Sequence, residues 1–188
     1  NIPVFHDDQH GTAIVVGAAI MNGLKVVGKD LKNVKLVSSG AGAAALACLN
    51  LLVKLGMPRK NIWVTDLAGL VYEGRVELMD PDKAEFAQVT DQRSLSDAIA
   101  GADIFLGLSA GGVLKPAMVA KMAATPLIFA LANPTPEILP DAVRAVAQET
   151  NTPLLELNRS SAAHVAPIGQ EADEAFKKAP PGQPAFDR

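Results

Sequence analysis

The chain has 188 residues, of which 49% are hydrophobic and 20% charged, and its formal net charge at pH 7 is −3. This length corresponds to one domain, or to one domain with a short extension, and the apolar content is enough for a substantial core. The small excess of acidic residues argues against a nucleic acid or an anionic membrane surface as the partner.

The first predicted element is an apolar, alanine-rich helix over residues 12–21 that ends near Asn22 and Gly23. Asparagine and glycine adopt the left-handed backbone conformation readily, and this conformation commonly ends a helix. A helix of this composition would be too hydrophobic for full exposure to water. We therefore expect a neighbouring domain or subunit to cover it.

Two carboxylates and two imidazoles lie within residues 6–10, directly before this helix. Helix capping and the helix dipole explain one aspartate in such a place, but they explain two adjacent aspartates less well. Adjacent carboxylates repel each other unless a cation neutralises one of them. Asp7 and Asp8 therefore also indicate a site for Mg²⁺ or Mn²⁺, which bind hard oxygen ligands. Zinc is disfavoured, because His6 and His10 have no third histidine or cysteine nearby.

A glycine-rich turn follows the first predicted strand, residues 34–37, and reads GAGAAA over residues 40–45. In a G-x-G-x-x-A turn of this kind, Gly40 allows a tight turn and Gly42 allows a pyrophosphate to approach the backbone. Ala45 lets the following helix pack closely on the strand, and the N–H groups at the helix start attract phosphate. A turn with no ligand is the alternative interpretation. The predicted dinucleotide-binding residues of this turn are Gly40, Ala41, Gly42, Ala43 and Ala44.

A second strand, predicted over residues 61–65, is followed at once by Asp66, about 20 residues beyond the turn as the dinucleotide fingerprint requires. An acid at this place accepts hydrogen bonds from both ribose hydroxyls and repels a 2′-phosphate, so Asp66 favours NAD over NADP. Arg75, the nearest basic residue in the following loop, could still reach a 2′-phosphate. Both coenzymes therefore stay open, with NAD preferred.

Helices and strands continue to alternate through the rest of the chain. After a loose, charged segment over residues 70–82, the sequence SLSD at residues 94–97 is a capping box that opens a short helix to Ala100. We also predict helices over residues 43–55, 116–122 and 141–149, strands over 102–108 and 126–131, the second of them fully buried, and an edge strand over 153–157.

This alternation predicts right-handed crossovers and a parallel sheet covered by helices on both faces, which is a doubly wound, Rossmann-type α/β fold. We assign residues 1–157 to one NAD(P)-binding domain and residues 158–188 to an irregular or flexible tail. Ligands of such folds bind at the carboxyl ends of the strands. The residues predicted to lie there are Gly40, Asp66, Ser109, Ala110, Gly111, Gly112 and Asn133.

The last of these positions have an alternative interpretation as simple turns. Ser109 and Ala110 are followed by two glycines, and Asn133 is followed by proline, a pair that is common in turns. An amide at a strand end can also hydrogen-bond a carboxylate ligand. The residues alone leave both interpretations open.

No segment is typical of a signal peptide or of a membrane span. The longest apolar stretch, residues 13–27, is interrupted by glycine, asparagine and lysine and is short for a bilayer. The single cysteine, Cys48, excludes an internal disulfide and is expected in the core, which fits a cytoplasmic location. The chain starts at Asn1 without an initiator methionine, and we expect it to be a piece of a longer polypeptide.

Four motifs within residues 2–137 resemble the cofactor-binding domain of malic enzyme, particularly of the bacterial form: FHDDQHGTA, GAGAAA, SAGGVLKP and FALANPTPE. The resemblance implies an NAD(P)-dependent oxidoreductase that oxidises malate at C2 and decarboxylates the product to pyruvate and CO₂. It also implies Mg²⁺ or Mn²⁺ as a Lewis acid and a homo-oligomer for the full-length parent.

The resemblance further implies roles for single residues. Asp8 would be a metal ligand, and Asp7 a catalytic residue that orients a lysine. Ser109 and Ala110 would lie in the loop under the cofactor, and Asn133 near the substrate and the nicotinamide.

Several residues that the family needs do not match in this chain. The tyrosine acid, the lysine base and a Glu-Asp pair of metal ligands come from a preceding domain, and neither Tyr72 nor Lys115 matches them. The sequence from residue 154 onwards does not align with the family's asparagine-bearing segment. We therefore expect the isolated chain to bind a dinucleotide but to turn over little or no malate. The alternatives are a non-catalytic nucleotide-binding module and the cofactor domain of another dehydrogenase, such as an amino-acid or methylene-folate dehydrogenase.

Overall fold

Five strands form one sheet in the part of the chain that the structure, a computed structural model, describes, which is residues 5–150. The strands are β1 (Leu36–Ser39), β2 (Ile62–Asp66), β3 (Gly69–Leu70), β4 (Ile104–Gly107) and β5 (Leu127–Ala130). The helices are α1 (Asp7–Val27), α2 (Ala43–Lys54), α3 (Pro81–Ala84), α4 (Leu95–Ala98), α5 (Pro116–Val119) and α6 (Pro140–Glu149), and a 3₁₀ turn (Arg59–Asn61) precedes β2. The predicted edge strand over 153–157 and the predicted tail over 158–188 lie outside the described residues.

The strands lie in the order β3-β2-β1-β4-β5, and all neighbours are parallel except β3, which runs antiparallel to β2. A separate apolar cluster covers each face of the sheet. Leu36 and Ile104 pack with α1 and α2, while Val37 and Phe105 pack with α4, α5 and α6. Successive residues of a strand point to opposite faces, which is why β1 and β4 are buried throughout. The predicted doubly wound α/β fold is confirmed.

Helix α1 is longer than the sequence predicted at both ends. The predicted end near Gly23 is wrong, because the chain leaves the helix only at Gly28, whose φ is 67°. Gly23 allows close packing instead, since a Cβ there would lie 2.9 Å from Cδ1 of Leu127 in β5. At its start the helix includes Asp7 and Asp8 in the first turn. The two acids are therefore part of the helix and not of a loop before it.

By length and composition alone, α1 is long and apolar enough to cross a membrane, with a mean hydropathy of 1.4 over its most apolar window. This differs from the prediction that the stretch is too short for a bilayer. The helix nevertheless packs one face against α2 and the sheet through Val16, Ile20 and Leu24. On its other face Ile14 and Val15 are 60% and 69% exposed. That a neighbouring domain or subunit covers this face stays a prediction.

Other predictions concern single elements or residues of the fold. β5 is half-buried and not fully buried as predicted, because within the described residues it is the last strand on its side and pairs with β4 alone. α5 ends at Val119, earlier than predicted. The capping box of Ser94 and Asp97 at the start of α4 is confirmed. Cys48 lies in the core as predicted, and burial raises the pKa of its thiol to about 11.

Candidate dinucleotide-binding site

The register of the sheet brings the carboxyl ends of four strands side by side. Ser39 of β1 pairs with Thr65 of β2 and with Gly107 of β4, and Gly107 pairs with Ala130 of β5. We call the side of the sheet at which these strands end the carboxyl edge. At this edge, each at the end of its strand or shortly after it, lie Gly40, Asp66, Ser109, Ala110 and Asn133.

The turn after β1 depends on Gly40. Its φ is 114°, and a Cβ at this position would lie 2.5 Å from the carbonyl oxygen of Leu108, next to the end of β4. On the other side, the N–H of Gly40 donates to the carbonyl oxygen of Thr65 at 2.8 Å. The turn is therefore in contact with both neighbouring strands and requires a residue without a side chain.

Helix α2 begins directly behind this turn. The N-cap residue, Gly42, has no side chain that could accept a hydrogen bond from the first N–H groups of the helix. The first turn also contains no acidic residue. A Cβ on Gly42 would meet no atom within 4 Å. Ala45, in the first turn of the helix, is 1% exposed, as expected for a small residue at close packing. A pyrophosphate fits this arrangement, because a helix N-terminus offers free donors and a partial positive charge.

Asp66, at the end of β2, is paired with two cations. Its Oδ2 lies 2.5 Å from Nη2 of Arg75 and 3.3 Å from Nζ of Lys83. Its Oδ1 accepts a hydrogen bond from the N–H of Ala68 at 2.9 Å. Burial by itself raises the pKa of this carboxyl, but the hydrogen bonds from Arg75, Ala68 and Lys83 hold the pKa below its usual value. The carboxylate is thus ionised and largely neutralised by its neighbours.

Arg75 holds the loop after β2 in place. Its side chain is 3% exposed, and its guanidinium also donates, at distances of 2.9 to 3.1 Å, to the carbonyl oxygens of Gly69, Leu70 and Glu77. Movement of Arg75 towards a 2′-phosphate would break all of these bonds. The more accessible cation beside Asp66 is Lys83, whose side chain is 14% exposed. Lys83 was not predicted from the sequence, because it lies 17 residues beyond Asp66 in the chain and no motif connects the two.

A buried carboxylate, Glu137, joins the loops after β4 and β5. Its Oε1 accepts from the backbone N–H of Ser109 at 2.9 Å, and its Oε2 accepts from the N–H of Ala132 at 3.1 Å. Ser109, Ala110 and Asn133 are exposed beside it. The burial of Glu137 arises from contacts between separate loops and has no local pattern; the one signal in the sequence is its place as the last residue of the FALANPTPE motif.

The first turn of α1 points towards the carboxyl edge. At the other end of this helix Lys29 forms an ion pair of 2.7 Å with Asp103, directly before β4, so α1 ends beside the amino ends of the strands. Asp7 and Asp8 are exposed. Within residues 5–150, no group of three or more His, Cys, Asp or Glu side chains could hold a metal ion. A divalent cation takes about six oxygen ligands, so two carboxylates fit part of such a site and do not complete it.

Comparison with known proteins identifies the family. Residues 9–155 match the family described as malic enzyme, NAD binding domain. The chain belongs to this family. The malic enzyme match extends beyond residue 137, where the resemblance of the sequence motifs ended, and includes α6. Asp7 and Asp8 lie just outside the matched residues.

Individual malic enzymes are similar to most of the described chain. It is 67% identical over 144 residues to the NAD-dependent malic enzyme of Rhizobium meliloti and 58% identical over 147 residues to the NADP-dependent malic enzyme of Escherichia coli. These alignments cover 77% and 78% of the chain, which spans only 19% of the length of either relative. A solved structure of the NAD-dependent malic enzyme from Thermotoga maritima is 42% identical, with a TM-score of 0.71, over 78% of this chain and 40% of that one. The alternative of another kind of dehydrogenase is therefore wrong.

Proposed function

We propose that the chain is the coenzyme-binding part of a malic enzyme that oxidises malate and decarboxylates the product to pyruvate and CO₂. The observation that supports this most is the open N-terminus of α2 behind Gly40 and Gly42, in a chain of the malic enzyme NAD-binding family. The relatives are malic enzymes by name, which supports the reaction class.

In this proposal the coenzyme lies across the carboxyl edge. The N–H groups of Ala43 and Ala44 would hold its pyrophosphate, and Asp66 would hold its adenosine ribose. Ser109 and Asn133 would hold the nicotinamide, whose chemistry is to accept a hydride from C2 of malate. The amide of Asn133 is exposed there and is suited to a hydrogen bond with the carboxylate of the substrate.

We propose NAD as the preferred coenzyme. A carboxylate at the position of Asp66 accepts ribose hydroxyls and repels a 2′-phosphate. Arg75 and Lys83 weaken this repulsion, because they neutralise much of the charge of Asp66. The preference for NAD over NADP should therefore be modest, about tenfold in dissociation constant, and calorimetric titration of the chain with each coenzyme measures it. Tighter binding of NADP would contradict this preference.

We also propose that Asp8 is one ligand of a Mg²⁺ or Mn²⁺ ion and that Asp7 orients a catalytic lysine. The exposure of both acids in the first turn of α1, which points towards the carboxyl edge, supports this. The remaining ligands and the lysine would come from other parts of the full-length protein, because two carboxylates do not complete the coordination of such an ion.

A substitution of Gly42 tests the coenzyme site. Its φ of −81° suits any residue and a Cβ there meets no atom within 4 Å, so Gly42→Val should leave the fold intact. The valine side chain would take the place of the pyrophosphate, and we expect NAD to bind about tenfold more weakly or worse in calorimetry. Ala145→Val, at an exposed place on α6, is the matched control and should bind NAD normally. A wild-type chain that binds no nucleotide contradicts the proposal, as does normal binding by Gly42→Val.

A non-catalytic nucleotide-binding module is the second candidate function. The incomplete cation site of the described residues favours it. Both candidates require nucleotide binding, so the deciding measurement is malate-dependent formation of NADH by the full-length protein with Mn²⁺. The first candidate requires this activity, and the second excludes it. The isolated 188 residues should form little or no NADH. A normal steady-state rate would contradict the proposal that other parts of the full-length protein complete the catalytic centre.

A further inference from the structure

One buried acid at the carboxyl edge, Glu137, has no role in the proposed function. Glu137 is 0% exposed, and none of the ion pairs among the described residues involves it. A carboxylate removed from water is costly unless hydrogen-bond donors surround it. The donors around Glu137 come from the two loops that the proposed function assigns to the nicotinamide.

Each carboxylate oxygen of Glu137 binds a different loop. Oε1 accepts from the backbone N–H of Ser109 at 2.9 Å and lies 3.4 Å from the Oγ of the same residue. Oε2 accepts from the N–H of Ala132 at 3.1 Å, directly before Asn133. The Oγ of Ser109 is also 2.8 Å from the Oγ of Ser39, at the end of β1. One side chain thus connects the loops after β4 and β5, and through Ser109 it reaches the end of β1.

The surroundings of the carboxylate leave it little freedom. A Cβ on Gly107, the last residue of β4, would lie 2.3 Å from the carboxyl carbon of Glu137. The two loops are also bonded directly, because the N–H of Gly112 donates to the carbonyl oxygen of Pro136 at 3.1 Å. The N–H of Leu114 donates to the carbonyl oxygen of Glu137 at 3.0 Å. The position of the carboxylate is therefore fixed by its packing as well as by its hydrogen bonds.

We propose that Glu137 is a positioning residue for the nicotinamide half of the coenzyme. It holds the Ser109 loop and the Asn133 loop at one separation, so that both are in place before the coenzyme binds. This inference rests on the proposed function, since it takes these loops as the nicotinamide site. A loop that is ordered in advance does not have to be ordered on binding, and the affinity for the ligand rises accordingly.

A carboxylate suits this position better than an amide of the same shape. Both of its oxygens are acceptors, and both face backbone N–H donors. In Glu137→Gln one oxygen becomes an NH₂ group. This donor would then face another donor, the backbone N–H of either Ser109 or Ala132. The variant should therefore lose one of the two connections and keep its size.

The experiment measures the affinity of the full chain for two nucleotides by calorimetry. NAD carries the nicotinamide, whereas ADP carries the adenosine and the pyrophosphate only. Glu137→Gln should weaken the binding of NAD by about tenfold and leave that of ADP unchanged. Gly107→Ala, which displaces the carboxylate without altering it, should have the same selective effect. Glu149→Gln, at an exposed end of α6, is the matched control and should change neither affinity.

Hydrogen exchange provides a readout that does not depend on a nucleotide. The N–H of Ser109 or of Ala132 should exchange faster in Glu137→Gln than in the wild type, while the strand amides keep their protection. Where the glutamine variant folds poorly, Glu137→Asp, which keeps the charge but withdraws it by one carbon, should show the same selective loss of NAD binding.

The outcomes separate this inference from the proposed function. Equal weakening of NAD and ADP indicates a general structural role and overturns the positioning role alone. Unchanged NAD affinity in both Glu137→Gln and Gly107→Ala overturns it as well. A wild-type chain that binds neither nucleotide overturns the proposed function and the positioning role with it.

Discussion

Asp66 and the two acids of α1 have different surroundings. Asp66 is mostly buried and paired with Arg75 and Lys83, whereas Asp7 and Asp8 are exposed in the first turn of α1. In the part of the chain that the structure describes, no ion pair involves either of the two exposed acids. The charge at the end of β2 is therefore compensated within the chain and holds a loop. The charges on α1 have no ion-pair partner among the described residues, which suits an added cation.

The N-terminus of α2 differs from that of α1 in its charge. Like α1 it directs its first N–H groups towards the carboxyl edge, but its first turn contains no acid. The partial positive charge of the helix N-terminus is thus offset by two carboxylates in α1, whereas no carboxylate in the first turn of α2 offsets it. The first arrangement suits a cation and the second suits an anion such as a pyrophosphate.

The largest effect is expected from removing the main cation beside Asp66. Arg75→Met leaves the carboxylate with Lys83 and removes the bonds of the guanidinium to the loop. Loss of one partner of a buried ion pair is strongly destabilising, so we expect the free energy of unfolding to fall by about 3 kcal/mol in urea denaturation. Lys60→Met, at an exposed cation, is the control and should change it by less than about 0.5 kcal/mol. Equal stability of the two variants would remove the contrast between Asp66 and the acids of α1.

The same ion pair should make stability depend on pH. Because the pKa of Asp66 is lowered by folding, its contribution is complete above the unfolded-state pKa of about 3.9 and is lost as the pH falls through the lower, folded pKa. Urea denaturation between about pH 5 and pH 2 should therefore show a weaker pH dependence for Asp66→Asn than for the wild type. Parallel curves would contradict this assignment.

An acid placed in α2 would make its first turn similar to that of α1. Ala43 is exposed there, and Ala43→Asp should stabilise the helix by up to about 1 kcal/mol through the dipole. The new carboxylate would repel the pyrophosphate, and we expect the affinity for NAD to fall by about a hundredfold in calorimetry. Ala43→Asn has nearly the same shape without the charge and serves as the control. An equal loss in both variants would show that size, and not charge, excludes the coenzyme.

The smallest effect is expected at α1 itself. Two exposed carboxylates bind a cation weakly, so millimolar Mn²⁺ should raise the melting temperature of the chain by only about 1 °C. Asp8→Asn should abolish this shift, whereas Glu73→Gln, at an exposed acid elsewhere, should keep it. The absence of a shift in the wild type, or its persistence in Asp8→Asn, would contradict a cation at Asp8.

The strands and the glycine-rich turn could be predicted because their causes are local. Buried strands of a parallel sheet appear as mainly apolar runs, and Gly40 directly follows β1, whose four residues are all buried. The extent of α1 was mispredicted, since Gly23 resembles a helix end in the sequence but in the structure allows contact with Leu127. That contact joins residues far apart in the chain, so no local pattern contains it.

The site was predicted only in part, for the same reason. The position of Asp66 at the end of β2 follows from the fingerprint, but its two cations lie later in the chain. Glu137 is buried because two loops close over it, and its neighbours in sequence do not indicate this. Two residues are also too few to show an alternating pattern, which is why the short β3 was missed.

The crowding around Gly40 has a consequence for protein engineering. Any side chain there would push against Leu108, and the displacement would pass along the backbone to the neighbouring Ser109. A redesign of coenzyme preference that starts at this bend would therefore also disturb the loop after β4. Helix α3, which contains Lys83, is the safer place for such changes, because it does not lie between two strands as Gly40 does.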